Sequence, residues 1–190
     1  MTFTDSQLAR HERMLDVAAR LASEGGFDAV QMRSVAAEAD VALGTLYRYF
    51  PSKEHLLVSA MLRQIGGLAD RLAVRPPRGA EAAERVVDVL RRANGALQRD
   101  PNFTLAVVRA LASGDESVAP AVREVREAMR AIILGAIGRN DLTERDALVA
   151  EILEEVWLSV LVAWISGVEP VTEVVRKLEA AANLLLVTDT

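Results

Sequence analysis

Residues 31–50, QMRSVAAEADVALGTLYRYF, form the stretch that decides how this chain folds. The pattern predicts two helices of about eight residues, near 32–39 and 43–50, joined by a turn at about residues 39–42. Two short helices around such a turn have the size of a helix-turn-helix motif. Many helical hairpins have the same length, so spacing alone leaves an ordinary pair of packed helices open.

The second of these helices has two chemically different faces. Ala42, Leu46 and Phe50 recur at intervals of four residues, so they share an apolar face that we expect to pack on the preceding helices. The opposite face carries Leu43, Gly44, Tyr47 and Arg48. Solubility does not require this combination of residues, whereas a face that enters the major groove of DNA can use all four.

This second face has the chemistry to read DNA. Arg48 can donate to a guanine edge or a phosphate, Leu43 can contact a thymine methyl, and Gly44 permits close approach. The hydroxyls of Thr45 and Tyr47 can donate to phosphate oxygens and fix the register of the protein on the duplex. A helix at this position could therefore contact DNA.

Two further cations flank the motif. Lys53 lies at the predicted start of the next helix, where backbone N–H groups and the helix dipole favour a phosphate, and Arg33 lies in the first turn of the preceding helix. The alternative interpretation treats Tyr47 and Tyr49 as packing aromatics and the cations as a solvated face. The spacing of these residues does not separate the two interpretations.

The rest of the chain also predicts helices, so the expected fold class is all-α with about nine helices. No segment alternates β-branched and polar residues as a strand would. Gly25-Gly26 is expected to end the first helix, and Pro76-Pro77 marks the clearest break in the chain. Besides the two short helices, the predicted helices span about 7–24, 52–72, 80–98, 102–112, 120–138, 143–166 and 171–187.

Composition and charge limit the class of protein. The 190 residues are 51% hydrophobic and include no cysteine, so we expect a packed core without disulfides or thiolate metal sites. No run approaches the ~20 apolar residues of a membrane span and no secretory signal is recognisable, which favours a cytoplasmic protein. The net charge is -5, and residues 1–56 carry six cations against eight anions. Any DNA contact must therefore come from a local arrangement of cations.

Patterns typical of enzymes and metal sites are missing from the sequence. The two histidines, His11 and His55, stand in no metal-binding pattern, and no glycine-rich phosphate loop occurs. Glu151, Glu154 and Glu155 cluster, but without histidine partners we interpret them as a solvated helix face. The sequence thus predicts no catalytic residue, no metal site and no cofactor, and a protein that is not an enzyme.

Residues 44–56, GTLYRYFPSKEHL, resemble the signature of TetR-family regulators, and the segments 25–27, 32–36 and 39–41 agree with it. One departure is Gln31, where the family commonly has Thr or Ser as a helix cap. The resemblance implies a homodimeric repressor of palindromic operator DNA, with a DNA-binding domain at 1–56 and an effector-binding and dimerisation domain at 57–190. The implied DNA contacts are Arg33, Leu43, Gly44, Thr45, Tyr47, Arg48 and Lys53.

The resemblance also suggests how the two domains work together. Arg10 and Arg13, expected ahead of the first helix, would reach a minor groove or a phosphate. The predicted helix 52–72 joins the two domains and is the expected lever for effector-driven release. Gly66-Gly67 either softens this helix or is merely tolerated there.

The C-terminal helices suit a dimer interface. Residues 152–165, ILEEVWLSVLVAWI, are apolar around most of the helix, and 171–187 carries a broad apolar stripe. Two such helices from each subunit could form a four-helix interface. The alternative is that both stripes face only the core of their own domain.

Within the family, the full-length pattern is most similar to KstR-type repressors, which control sterol catabolism in actinobacteria. The similar segments are 51–60, 98–101, 156–159 and 163–164. The implied effector is a small hydrophobic molecule, either a sterol-derived or a fatty acyl-CoA thioester. The candidate pocket residues, each of which is alternatively a plain core residue, are Phe103, Val107, Leu111, Met129, Ile133, Trp157, Leu161 and Trp164.

Three polar residues are candidate anchors for the effector. They are Asn94, Gln98 and Asn102, of which Asn102 equally well caps its helix, the interpretation we favour. A rival hypothesis is a helical lipid-binding or acyl-CoA-binding protein, or an enzyme, in which the helix-turn-helix is vestigial. The intact set of Tyr47, Arg48 and Lys53 argues against that rival.

Overall fold

The computed structural model describes residues 4–186, and within that range the chain folds into nine α-helices without a β-strand, which confirms the all-α expectation. A short 3₁₀ helix, Glu116–Val118, precedes the seventh α-helix, and the predicted helix end at residue 187 lies outside the described residues. The helices are α1 Asp5–Ala29, α2 Met32–Glu38, α3 Leu43–Tyr49, α4 Lys53–Val74, α5 Ala82–Gln98, α6 Pro101–Leu111, α7 Ala119–Ile137, α8 Glu144–Ile165 and α9 Val171–Leu186.

The first helix breaks where its two glycines predict. Gly25 and Gly26 leave helical geometry, and Gly26 has a φ of 68°, a conformation that side chains other than glycine's rarely adopt. One more helical turn then runs to Ala29. The glycine pair thus redirects the chain before the turn that leads into α2.

The helices group into two compact units. The first contains the chain up to Gln64 together with Asp100–Val125, and the second contains Ile65–Arg99 and the chain from Arg126 onward. In the first unit α6 packs against α1, although 71 residues lie between the end of α1 at Ala29 and the start of α6 at Pro101 in the sequence. In the second, α9 packs against both α5 and α8. The functional division at residues 56 and 57 stays a prediction.

Each unit has its own apolar core. In the first unit the helix-turn-helix is closed by side chains with at most 2% exposure, among them Met14, Leu15, Val35, Leu46 and Phe50. In the second unit the fully or nearly fully buried side chains include Val86, Leu90, Met129, Ile133, Leu153 and Leu178. Burying each such side chain stabilises the fold by ~1.5–3 kcal/mol before chain entropy is subtracted. No helix in the described range is long and apolar enough to cross a membrane.

Candidate nucleic-acid interface and effector site

The two faces of α3 are placed as the sequence predicts, with one exception. Leu46 and Phe50 are 0% and 1% exposed and anchor the helix in the core of the first unit. Gly44, Tyr47 and Arg48 are exposed on the other side, with Leu43 and Thr45 half-buried beside them. Ala42 is the exception, because it is exposed and serves as the N-cap of α3.

Gly44 has no role inside the chain that would explain its lack of a side chain. Its φ is not left-handed, and a Cβ placed on it would meet no atom within 4 Å. Glycine in a helix costs up to ~1 kcal/mol relative to alanine, so the fold gains nothing from it here. A glycine at this position suits the close approach of another molecule.

The two tyrosines of α3 have different surroundings. Tyr49 belongs to an aromatic cluster, with its ring centroid 5.9 Å from that of His11 and 6.3 Å from that of Phe50. Tyr47 has no ring contact with this cluster and is 47% exposed. The packing interpretation therefore describes Tyr49, whereas Tyr47 keeps its ring and hydroxyl available for a partner.

Ion pairing in the first unit explains how an acidic segment presents free cations. Arg20 binds Glu24 and Glu38, and Arg63 binds Glu12 and Asp16 at 3.1 and 2.6 Å. Within residues 4–186, neither Arg33 nor Arg48 has a carboxylate within ion-pair distance. Four acidic side chains are thus neutralised by two other arginines. Arg33 and Arg48 keep no carboxylate partner in the described range, and the Arg48 guanidinium lies 5.8 Å from the centre of the Tyr49 ring.

Lys53 begins α4 but lies against the end of α1. Its Nζ lies 3.8 Å from the centre of the Phe27 ring and 3.4 Å from the Phe27 carbonyl oxygen. The guanidinium of Arg109, on α6, also contacts this ring at 4.2 Å and pairs with Asp28 at 3.3 Å. Cation–π contacts of this kind contribute ~0.5–1 kcal/mol each at exposed sites. They connect α1, α4 and α6.

The expectation that Arg10 and Arg13 precede the first helix is wrong, since both lie inside α1. Arg10 donates to the Ser6 hydroxyl at 3.2 Å. Arg13 donates to the Ala9 and Ala39 carbonyl oxygens, both at 3.4 Å. Arg13 thus connects α1 to the turn after α2, whereas the bond of Arg10 stays within α1.

The start of α6 is tied to α1 by polar contacts that the sequence does not reveal. Asp100 is the N-cap of α6, accepting from the Phe103 N–H at 3.0 Å, and it also accepts from the Ser23 hydroxyl. Asn102 donates to the Ser23 carbonyl oxygen at 3.0 Å. Our preferred interpretation of Asn102 as a helix cap is therefore wrong, because Asp100 is the cap.

The candidate pocket residues fall into both units. Phe103 and Val107 are buried and Leu111 half-buried in the first unit. In the second unit Met129, Ile133, Trp157 and Leu161 are buried and Trp164 is half-buried. Burial suits core residues and pocket residues alike, so the pocket assignment stays a prediction.

Asn94 and Trp157 are among the residues of the second unit whose buried polar atoms lack hydrogen bonds. Asn94 on α5 is 0% exposed, and neither its Nδ2 nor its Oδ1 has a partner among the described residues. The indole Nε1 of Trp157 on α8 is also unpaired and buried. An unpaired buried polar group costs ~1–3 kcal/mol, so natural chains rarely keep one without a use. Of the three proposed anchors, Asn94 is the one that is fully buried with its amide group unpaired among the described residues.

The interpretation of the three α8 glutamates as a solvated face is wrong for Glu154, whereas Glu155 is exposed and Glu151 is half-exposed. Glu154 is 6% exposed and pairs with Arg126 at 3.0 Å and Arg130 at 3.5 Å, both on α7. Burial raises the pKa of Glu154, and the two arginines oppose that rise. Glu155 and Glu151 pair with the same two arginines. In the described range, no three or more His, Cys, Asp or Glu side chains are grouped so that they could hold a metal ion.

The outer faces of α8 and α9 carry exposed apolar side chains. Leu158 and Val162 on α8 are 37% and 42% exposed, Leu148 at its start is 56% exposed, and Leu184 on α9 is 82% exposed. On α8 these three residues lie at spacings of four and ten, which place them on one side of the helix. The α8 stripe thus has one side in the core and one side facing outward, whereas the α9 stripe lies towards the core and Leu184 is exposed beside it.

Comparison with known proteins identifies the relatives of this architecture. Residues 14–60 match the family described as bacterial regulatory proteins, tetR family, and residues 79–185 match the Tetracyclin repressor-like C-terminal domain. The HTH-type transcriptional repressor KstR of Rhodococcus jostii (strain RHA1) is 44% identical over 183 residues, covering 96% of this chain and 85% of the relative.

Two solved structures extend the comparison to three dimensions. A TetR transcriptional regulator from Rhodococcus sp. RHA1 superposes with a TM-score of 0.89 at 34% identity, covering 98% of this chain and 100% of that one. The transcriptional regulator FadR from Bacillus subtilis, in complex with stearoyl-CoA, superposes with a TM-score of 0.67 at 20% identity, covering 94% and 99%. At that identity the second likeness concerns the fold alone.

Proposed function

The chain belongs to the TetR family and is a ligand-responsive transcriptional repressor, not an enzyme, and we propose that it reads operator DNA through the exposed face of α3. The observation that carries this proposal is the exposed guanidinium of Arg48, which has no carboxylate partner among the described residues, beside the open backbone at Gly44. Arg48 donates to base edges, Tyr47 and Thr45 contact phosphates, and Leu43 contacts a thymine methyl. Two copies of α3 in a dimer read the two halves of a palindrome.

The test separates base contacts from phosphate contacts. Operator binding is measured by fluorescence anisotropy at several salt concentrations, with Arg48→Ala, Arg33→Ala and the exposed control Arg123→Ala. Arg48→Ala should weaken specific binding by ~1–3 kcal/mol and relax sequence preference. Arg33→Ala should weaken binding to all sequences and reduce the salt slope by about one. Unchanged operator affinity in Arg48→Ala would contradict the proposed role of α3.

The proposed dimer forms through α8 and α9. The exposed Leu148, Leu158, Val162 and Leu184 supply apolar area on these helices, as a four-helix interface requires. Leu158→Lys should convert the dimer to a monomer in sedimentation velocity, because it places a charge in the centre of that interface. Leu142→Lys, at a residue 49% exposed before α8, is the matched control and should leave the dimer intact. A dimer that survives Leu158→Lys would place the interface elsewhere.

The proposed effector is a hydrophobic CoA thioester of a fatty acid or a sterol-derived acid. Support comes from the KstR relative, from the stearoyl-CoA held by FadR, and from the unpaired amide of buried Asn94, which can bind a polar group of the ligand. The candidate apolar contacts are the eight residues from Phe103 to Trp164 named above. Titrating stearoyl-CoA and a sterol-derived CoA thioester into the protein–operator complex should release DNA with one of them. Retention of DNA with both would refute the effector class.

We further propose that α6 takes part in release. It lies in the same compact unit as the helix-turn-helix, bound to α1 through Ser23, Asp100 and Asn102. An effector that shifts α6 would change the position of α1 and hence of α3. Because coupling between two sites is reciprocal, effector and DNA would each weaken the binding of the other by the same factor. Asn102→Ala should therefore reduce this factor while leaving operator affinity without effector close to that of the wild type.

A further inference from the structure

An open cleft in the second unit is unusually rich in arginine. It has a volume of about 820 Å³ and lies between the end of α4, the segment that follows α4, and one face of α5. Ligand pockets commonly measure ~300–1,000 Å³, so the cleft is large enough for a nucleotide-sized molecule. We call it the arginine cleft, after Arg71, Arg75, Arg78, Arg92 and Arg99.

One of these arginines builds the wall of the cleft. Arg92 pairs with Asp88 at 2.6 Å, one helical turn before it, and donates to the Arg75 carbonyl oxygen at 2.7 Å. Asp88 also accepts from the backbone N–H of Arg78 at 3.1 Å. The segment after α4 is thereby fixed against α5, and the charge of Asp88 is used within the wall.

The other four arginines have no such partner. Within residues 4–186, none of Arg71, Arg75, Arg78 and Arg99 has a carboxylate within ion-pair distance, and Asp70 is the one other acidic side chain that lines the cleft. Four cations facing one anion repel one another, at a site in a protein whose net charge is -5. Such an arrangement is stabilised when a multiply charged anion binds.

We propose that the arginine cleft binds the phosphate groups of a CoA thioester, a proposal that rests on the effector class given above. The nucleotide portion of CoA carries a pyrophosphate and a 3′-phosphate, and planar guanidinium groups bind phosphate oxygens in pairs. Leu68, Val74 and Ala96 add apolar surface to the lining, against which an adenine ring can pack. Recognition of the effector thus has a charged component in addition to its apolar pocket.

The experiment uses the full-length protein and two probes that separate the head of the ligand from its tail. Isothermal titration measures binding of 3′,5′-ADP, which has the nucleotide but no acyl chain, and of stearoyl pantetheine, which has the chain but no nucleotide. The variant is Arg75→Ala/Arg78→Ala, since both side chains are exposed and their backbone contacts remain. Arg123→Ala, at another exposed arginine, is the matched control.

The wild type should bind 3′,5′-ADP with an affinity that falls as salt rises, and the double variant should lose about tenfold or more of it. Stearoyl-CoA should be affected similarly, whereas stearoyl pantetheine and operator DNA without effector should bind as in the wild type. Arg75→Lys/Arg78→Lys keeps the charge without the planar group, so its affinity for 3′,5′-ADP should lie between those of the wild type and the alanine double variant.

Three outcomes would overturn the proposal: no binding of 3′,5′-ADP, equal affinity in wild type and double variant, or equally tight binding of ATP, which lacks the 3′-phosphate. Failure of the proposed function has a separate signature. In that case no thioester releases operator DNA, although 3′,5′-ADP still binds in the cleft.

Discussion

Replacing Gly44 with alanine separates what α3 needs for folding from what it needs for DNA binding. The added Cβ would meet no atom within 4 Å, and Gly44 already has a φ that alanine adopts freely. Gly→Ala at a compatible position stabilises by ~0.4–1 kcal/mol, chiefly because the unfolded chain loses conformational freedom. For a chain of this length that corresponds to a rise in Tm of ~1–4 °C.

The same methyl group should weaken operator binding. If the backbone at Gly44 approaches the DNA as closely as its open position allows, a Cβ separates α3 from the base edges and disturbs the Arg48 contact. A loss of about tenfold, or ~1.4 kcal/mol, is the expected minimum. Tm is measured by circular dichroism and affinity by fluorescence anisotropy on the same preparations.

Gly135→Ala provides the matched control. Gly135 lies in α7, is exposed, and likewise has no atom within 4 Å of an added Cβ. It should raise Tm in the same way and leave operator affinity unchanged. Wild-type affinity in Gly44→Ala would refute close approach of DNA at this residue, and a lowered Tm would refute the reasoning from open space.

Three further substitutions test buried and titrating groups. Asn94→Leu should maintain or raise the free energy of unfolding in urea, because it removes an unpaired amide, and it should weaken effector binding in titrations. Hydrogen bonds from Thr143 lower the pKa of Asp146, so the stability that the Asp146 carboxylate adds to the fold is present above pH ~4 and is lost on acidification. Asp146→Asn should therefore have a lower free energy of unfolding at pH 7 and should not lose this part of its stability in acid. Burial lowers the pKa of His55, against the charges of Glu124 and Asp115, so stability should fall as the pH drops below ~6.5. In thermal melts at several pH values, the Tm of His55→Gln should not show this decrease below pH ~6.5. An identical decrease of Tm in variant and wild type would exclude His55 as its source.

Local sequence pattern determined the helices and the two faces of α3. A helix depends on contacts three and four residues apart, so the positions of Leu46 and Phe50 in the core, and of Tyr47 and Arg48 outside it, follow from spacing. The break at Gly25-Gly26 follows from backbone freedom, which is also a local property. The family resemblance could also be recognised from the sequence, because the motif at 44–56 lies within one continuous stretch.

Only the tertiary structure decided which distant side chains meet. Ser23 bonds Asp100 across 77 positions, which places α6 with the helix-turn-helix, and Glu154 is buried against Arg126 although its neighbours in sequence suggested a solvated face. The arginine cleft likewise brings together residues 68–99 from two helices and the segment between them. Periodicity states which side of a helix is apolar, but the partner on that side is chosen by packing of the whole chain. The helix proposed to read DNA could therefore be predicted from the sequence, whereas the contacts that hold it and the arginine cleft could not.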